Sequence, residues 1–130
     1  MNREFADIRE KLSRGESARL TREVDGAVYR RRFVPRERLI LLGGGHIAQP
    51  LCAMGALLDF DVVVADDRPA FANAARVPEA AEIRCDGFSK VIGDLALRES
   101  DYVCVITRGH RWDRLCLERI LLGTFPGYLG

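Results

Sequence analysis

The chain has 130 residues, of which 48% are hydrophobic and 30% are charged, and its formal net charge is +1. This length and composition predict one globular domain at most, with a core that needs no disulfides. No apolar run reaches the roughly 18 residues of a membrane span, and the N-terminal residues lack the apolar stretch of a secretory signal. We therefore expect a cytoplasmic protein with no membrane partner.

Basic residues concentrate near the N-terminus. Residues 1–38 hold eleven Lys and Arg against seven Asp and Glu, whereas residues 39–130 hold nine against twelve. The excess centres on Arg30, Arg31 and Arg32 and predicts a solvated face, with a surface for an anionic ligand or a partner protein as the alternative. Nucleic-acid binding is not predicted, because the run is short and lacks interleaved aromatic residues.

The four cysteines are spread over predicted helices and strands and include no closely spaced pair. They are Cys52, Cys85, Cys104 and Cys116. In a reducing compartment such residues act as small hydrophobic side chains. A zinc site is not predicted, because zinc sites need closely spaced ligand pairs. The two histidines of the chain also lack an obvious third ligand, so no metal ligand is predicted.

Residues 1–37 form a predicted N-terminal extension. Apolar residues recur at helical spacing from Phe5 to Leu12, which predicts a short amphipathic helix. The runs 18–24 and 27–34 are joined by Asp25-Gly26, and both of these residues tolerate positive φ, so the pattern predicts a β-hairpin. Each face of this hairpin mixes apolar and cationic residues, which indicates a partly solvated ribbon.

From residue 38 onward, strand and helix patterns alternate. The predicted strands are 39–42, 61–66, 83–85, 102–106 and one that opens at 128; the predicted helices are 47–58, 88–97 and 111–122, the last capped by Gly123. This alternation indicates βαβ units, and right-handed crossovers give the strand order 3-2-1-4-5. We therefore predict an α/β, Rossmann-like doubly wound parallel sheet over residues 38–130, preceded by the helix and hairpin. Because the fifth strand only opens at Tyr128, we expect this domain to be incomplete at its C-terminal end.

A glycine-rich turn follows the first of these strands. Residues 43–48 read Gly-Gly-Gly-His-Ile-Ala and fit G-x-G-x-x-A between a strand and a helix, with Asp66 at the end of the second strand. Gly43 allows a tight turn, Gly45 lets a pyrophosphate approach the backbone, and Ala48 keeps the helix close to the sheet. The helix N-terminus offers N–H groups to the phosphates. A glycine turn without a ligand is the alternative.

Three residues at the end of the second strand are candidates for contacts with the ribose of such a ligand. Asp66 is placed to accept hydrogen bonds from ribose hydroxyls, and a carboxylate there would repel a 2′-phosphate. Asp67 takes this role if the strand ends one residue later. Arg68 favours the opposite interpretation, because an arginine can accommodate a 2′-phosphate. The loop that follows, residues 69–73, either lies under a base or is structural.

A second polar cluster follows the fourth strand. Strands 1 and 4 are neighbours across the topological switch point, where ligands bind, so we expect Thr107, Arg108 and His110 to face this crevice together with His46. Arg108 can clamp a phosphate or carboxylate, and either histidine can act as an acid, a base or a donor. Asp113 is placed to orient His110. Alternatively, Thr107 is a helix cap, Arg108 a surface charge and His110 a residue of the first helical turn.

These observations predict a cofactor-binding crevice. Its candidate residues are Gly43, Gly44, Gly45, His46, Ile47, Ala48, Asp66, Asp67, Arg68, Thr107, Arg108, Gly109 and His110. We predict no catalytic residue among them.

Residues 38–130 resemble the C-terminal Rossmann domain of the XdhC/CoxF family of xanthine dehydrogenase accessory proteins. The resemblance rests on four stretches in order: residues 43–48, residues 64–69 with 71–73, residues 107–110 with Asp113, and residues 127–130. Residues 1–37 depart from the family pattern, because they contain neither the cysteine nor the glycine-rich motif of its N-terminal domain.

The resemblance implies a non-enzymatic role. Members of this family bind the molybdenum cofactor, promote its sulfuration with a cysteine desulfurase and deliver it to a molybdenum hydroxylase, and they are often dimeric. By resemblance we expect a homo-oligomer that binds the dinucleotide form of this cofactor, or NAD(P), at the glycine turn. Two other interpretations stay open. One is an NAD(P)-dependent oxidoreductase, although no separate substrate domain is evident; the other is a nucleotide-sensing regulatory module that uses the hairpin as a partner surface.

Overall fold

The computed structural model describes residues 2–130 and divides the chain into two compact units. The first unit ends at Arg36 and the second comprises Glu37–Gly130. The domain boundary that we predict from the sequence, between residues 37 and 38, lies one residue later. No helix within the described residues is long and apolar enough to cross a membrane.

The first unit consists of one helix and one hairpin. Helix α1, Arg3–Ser13, begins after Asn2, whose side chain accepts a hydrogen bond from the N–H of Glu4, as an N-cap does. Strands β1, Ala18–Val24, and β2, Ala27–Phe33, pair antiparallel. The turn between them has positive φ at Asp25 (51°) and Gly26 (77°), which is the two-residue turn predicted from the sequence.

The second unit contains a five-stranded parallel sheet. Its strands are β3 (Arg38–Leu42), β4 (Asp61–Ala65), β5 (Glu82–Arg84), β6 (Tyr102–Val105) and β7 (Tyr128–Leu129). Their spatial order is β5-β4-β3-β6-β7, with parallel pairing throughout. Counted from β3, this is the order 3-2-1-4-5, so the predicted Rossmann-like topology is confirmed.

Helices cover both faces of this sheet. Alternate residues of a strand point to opposite faces, and β3 is buried on both. Ile40 and Leu42 share a core cluster with α3 (Phe88–Leu95) and α4 (His110–Leu121). Leu39 and Leu41 share another with α2 (Ala48–Leu57). The continuous apolar runs of the sequence thus correspond to doubly covered parallel strands.

The helices of this unit begin and end within two residues of the predicted bounds, and the C-terminal ends of α3 and α4 differ for a local reason. Helix α3 ends two residues earlier than predicted, because Ala96 adopts a left-handed conformation with φ 46°. Helix α4 ends at Leu121 and its C-cap is Leu122, which is right-handed. The prediction that Gly123 caps α4 is wrong: the glycine has no positive φ, and its N–H simply donates to Ile120 O at 3.1 Å.

A buried ion pair lies at the amino-terminal edge of the sheet. The carboxylate of Asp101, 0% exposed, accepts from Nε and Nη2 of Arg38 at 2.9 and 2.7 Å. Arg38 also donates to the backbone carbonyls of Leu95 and Ala96 at the end of α3. This pair therefore links the start of β3 to the segments before β6 and after α3, at the end of the strands opposite to the glycine turn.

Candidate functional site

A cavity of about 330 Å³ opens at the carboxyl-terminal edge of the sheet, where β3 and β6 are neighbours. The residues that line it are Gly45, His46, Ile47, Arg68, Phe71, Ile106, Thr107 and Arg108. They come from the glycine turn, from the segment after β4 and from the segment after β6. The cavity thus lies at the topological switch point, where Rossmann folds bind their ligands.

The three glycines of the turn have different roles. A Cβ on Gly43, whose φ is 125°, would lie 2.3 Å from the carbonyl oxygen of Ile106, and one on Gly44 would lie 2.3 Å from the carbonyl oxygen of Phe71. These two positions must be glycine because neighbouring backbone packs against them. A Cβ on Gly45 would meet nothing within 4 Å. Gly45 alone therefore borders open space, in the position where the sequence predicts a pyrophosphate.

Helix α2 begins beside this open space without a side-chain cap. Its N-cap residue is Ile47, its first turn holds no acidic residue, and Ala48 is fully buried against the sheet. Within residues 2–130, the N–H groups of Gly45, His46 and Ile47 have no hydrogen-bond partner. Three free donors and the positive end of a helix dipole thus lie beside the same cavity, an arrangement that favours an anion.

Asp66 is fully buried and both of its carboxylate oxygens are occupied. Oδ2 accepts from the N–H of Gly44 and from Nη2 of Arg68, both at 2.9 Å. Oδ1 accepts from the N–H and Nε of Arg68, at 3.0 and 2.9 Å. Burial alone would raise the pKa of Asp66, but these hydrogen bonds outweigh it and lower the pKa to about 2.

The ribose role that we predict for Asp66 from the sequence does not agree with this geometry. The side chain is 0% exposed and offers no free oxygen to a hydroxyl group. Its position at the end of the second strand is as predicted, but its partner is Arg68, only two residues further along the chain. The carboxylate therefore holds the glycine turn and the Arg68 segment together instead of facing a ligand.

A stack of cations on Phe71 forms one wall of the cavity. The guanidinium carbon of Arg68 lies 3.7 Å from the centre of the Phe71 ring and that of Arg76 lies 4.7 Å from it. Arg76 also donates through Nε to the carbonyl oxygen of Gly44 at 2.8 Å. The sequence reasoning missed Arg76, because nothing in its local pattern signals a contact with a residue 32 positions earlier.

An ion pair links the segments after β4 and β6 across the switch point. Nη1 and Nη2 of Arg108 donate to the two carboxylate oxygens of Asp67 at 2.5 and 3.1 Å. The same guanidinium lies 4.5 Å from the ring centre of Trp112. Arg108 is thus a cavity residue, as predicted, and it is already paired with a carboxylate.

The remaining predicted residues divide between the cavity and its surroundings. Thr107 lines the cavity and its hydroxyl donates to the carboxylate of Asp113. His46 also lines the cavity, whereas the side chain of His110 is fully exposed and is not among the lining residues. The expectation that both histidines face the crevice is therefore wrong for His110. Asp113 lies 3.9 Å from its Nδ1 and makes no hydrogen bond with it.

The glycine turn offers free hydrogen-bond donors to this cavity. Both carboxylates beside it, Asp66 and Asp67, are paired with arginines, while the N–H groups of the turn remain free. Among residues 2–130, no group of three or more His, Cys, Asp or Glu side chains is placed to hold a metal ion. The arrangement is suited to binding an acceptor-rich anion such as a pyrophosphate.

The fold and this crevice define a Rossmann-type α/β domain with a glycine-rich turn at its switch point. The family model described as the XdhC Rossmann domain matches residues 39–130, and the chain therefore belongs to the XdhC family.

Two relatives are similar to this chain in sequence, and a solved structure shares its fold. The chain is 29% identical over 87 residues to "Uncharacterized protein YqeB" of Escherichia coli K12, a match that covers 66% of this chain and 16% of that protein. It is 28% identical over 87 residues to a probable xanthine dehydrogenase subunit of Bacillus subtilis 168, covering 67% of this chain and 26% of that protein. The crystal structure of a xanthine dehydrogenase from Bacillus halodurans has the same fold, with a TM-score of 0.83, 22% identity, and coverage of 95% of this chain and 50% of that one. The chain thus spans half or less of the length of each of these proteins.

Proposed function

We propose that this chain is the dinucleotide-binding module of an accessory protein that matures a molybdenum hydroxylase of the xanthine dehydrogenase type. The crevice binds the molybdenum cofactor, in its dinucleotide form, through its phosphates. The observation that carries the binding proposal is the donor-lined cavity beside Gly45. The accessory role is supported by membership of the XdhC family and by the name of the B. subtilis relative.

The glycine turn fits a pyrophosphate on both steric and electrostatic grounds. The absence of a Cβ at Gly45 leaves the backbone open on the cavity side. The free N–H groups of residues 45–47 supply donors at the N-terminus of α2. Arg68 and Arg108 place guanidinium groups with unused N–H donors at the cavity wall, and hydrogen bonds from charged groups to phosphate oxygens are stronger than neutral ones.

The cavity suits the phosphate part of the cofactor and not its metal. No cysteine is among the residues that line it. Cys52 and Cys116 are buried in the core, and Cys85 is exposed beyond the end of β5. When bound, the cofactor supplies the molybdenum chemistry of the client enzyme, while this chain holds and orients its nucleotide end. We therefore assign no catalytic step to this chain.

NAD(P) is the second candidate ligand. The glycine turn recognises a pyrophosphate irrespective of what lies on either side of it, and the cation at Arg68 is the feature that an NADP-type ligand would use.

With either ligand, we propose a cytoplasmic homo-oligomer whose partners are a molybdenum hydroxylase and a cysteine desulfurase.

Deletion of the gene that encodes this chain tests the accessory role. We expect the molybdenum hydroxylase of the host to accumulate with less bound cofactor and lower activity, and the wild-type gene to restore both. A gene with Gly45→Ala should restore neither, although the protein accumulates normally, because a Cβ at Gly45 would touch nothing else within 4 Å. Unchanged cofactor content after deletion would refute the proposed role.

A further inference from the structure

The charged side chain that lines the cavity at the end of β4 is a cation, Arg68, instead of the carboxylate typical of NAD-binding sites. In such folds the acid at the end of the second strand binds the ribose hydroxyls, and a nearby arginine accommodates a 2′-phosphate. Here Asp66 is 0% exposed, while the side chain of Arg68 is 32% exposed and lines the cavity. Arg68 occupies both oxygens of Asp66 and presents its own guanidinium to the cavity.

Arg68 and Arg108 each keep a donor free. Arg68 uses Nε and Nη2 on Asp66, and its Nη1 has no hydrogen-bond partner in the described part of the chain. Arg108 uses Nη1 and Nη2 on Asp67, which leaves Nε. The guanidinium carbons of Arg68 and Arg108 lie 3.7 and 4.5 Å from the ring centres of Phe71 and Trp112, and these contacts restrict the movement of both side chains. Two cations with spare donors therefore flank the cavity, while both oxygens of Asp66 are fully occupied and Asp67 is paired with Arg108.

We propose that, between the two nicotinamide dinucleotides, this crevice prefers the NADP type, which carries a phosphate monoester on its ribose, over the NAD type. Arg68 is the residue that makes this distinction and Arg108 assists it. The inference rests on the proposed function only in that the crevice binds a dinucleotide. It reverses the preference that the sequence alone suggests from Asp66, and it makes an NADP-type dinucleotide a further ligand that competes with the cofactor for the site.

Calorimetric titration of the purified chain with NADP⁺ and NAD⁺ tests this preference. Both titrations are run at one fixed ionic strength, because salt screens phosphate binding. We expect NADP⁺ to bind about tenfold or more tightly than NAD⁺, the factor that one added charged hydrogen bond supplies.

Two substitutions should change the ratio of the NADP⁺ affinity to the NAD⁺ affinity in opposite directions. Arg68→Gln should bring the two affinities to within about threefold of each other, because the guanidinium that recognises the phosphate is lost. Asp67→Asn should strengthen NADP⁺ binding more than NAD⁺ binding, since it releases Arg108 and removes a nearby negative charge. A gain of affinity cannot result from misfolding. Arg114→Gln removes an equal charge from an exposed pair with Glu118 away from the cavity and should leave the ratio unchanged.

Each outcome tests a different part of the proposal. Equal affinities of the wild type for the two dinucleotides, or a tighter NAD⁺ complex, would overturn the proposed preference and leave dinucleotide binding intact. A preference for NADP⁺ that survives Arg68→Gln would overturn the role of Arg68. Binding of neither dinucleotide would overturn the inference as a whole, while the accessory role would still be judged by the deletion experiment.

Discussion

Replacing Asp66 by Asn should remove a pH-dependent part of the stability of the Rossmann unit. The hydrogen bonds from Arg68 and from the N–H of Gly44 lower the pKa of this buried carboxyl from 3.8 to about 2, against the opposing effect of burial. A tenfold change in proton affinity corresponds to about 1.4 kcal/mol, so the charged form contributes about 2 kcal/mol to the free energy of unfolding. Because the folded-state pKa is the lower one, this contribution is present above pH 4 and is lost as the pH falls towards 2.

Urea denaturation at a series of pH values measures this effect. At pH 7 we expect Asp66→Asn to unfold with a free energy about 2 kcal/mol lower than that of the wild type, and we expect this difference to shrink between pH 4 and pH 2. Glu99→Gln, which changes an exposed carboxylate of the same unit, serves as the control and should behave like the wild type. A difference that stays constant over this pH range would refute the ionic account and indicate a loss of packing alone.

Three further predictions follow from contacts elsewhere in the structure. Gly44→Ala should lower the free energy of unfolding by about 1–3 kcal/mol, because its Cβ would overlap a backbone carbonyl, whereas Gly45→Ala should unfold like the wild type. Equal changes in the free energy of unfolding of the two variants, measured by chemical denaturation, would contradict this contrast. Asp101→Ala should lower the free energy of unfolding by about 3–5 kcal/mol, because it leaves the largely buried guanidinium of Arg38 without its carboxylate. A melting temperature equal to that of the wild type would exclude this role. In the native protein, iodoacetamide should label Cys85 first, and mass spectrometry can identify the labelled residue. The other three cysteines are less exposed, and burial raises the pKa of each thiol, to about 12 for Cys116. Uniform labelling of all four thiols would be inconsistent with this core.

Local sequence patterns predict the framework of this fold well. The Asp25-Gly26 turn is determined by residues that tolerate positive φ, and the structure has the hairpin there. The buried parallel strands are evident as short apolar runs between helical patterns, and handedness rules then determine their order. The cavity beside Gly45 is also predictable, because a parallel sheet with this order has only one switch point.

Pairing between side chains is the part that the sequence does not reveal. Asp66 is found at the predicted strand end, but whether it faces a ligand or is neutralised depends on the rotamer of Arg68, which no periodic pattern encodes. The contacts of Arg76 with the glycine turn and of Arg38 with Asp101 join residues 32 and 63 positions apart. Such contacts become visible only when the strands are placed side by side.

Thermal unfolding of the wild type and of Gly45→Ala, each with a dinucleotide added, tests the central claim most directly. A ligand at about 100 times its dissociation constant adds roughly 2.7 kcal/mol to the stability of a folded protein, which raises the midpoint by several degrees for a domain of this size. We predict such a shift for the wild type with the molybdenum cofactor or with NADP⁺, and its loss in Gly45→Ala, whose unliganded midpoint stays unchanged. No shift in the wild type, or the same shift in both proteins, would contradict binding at the glycine turn.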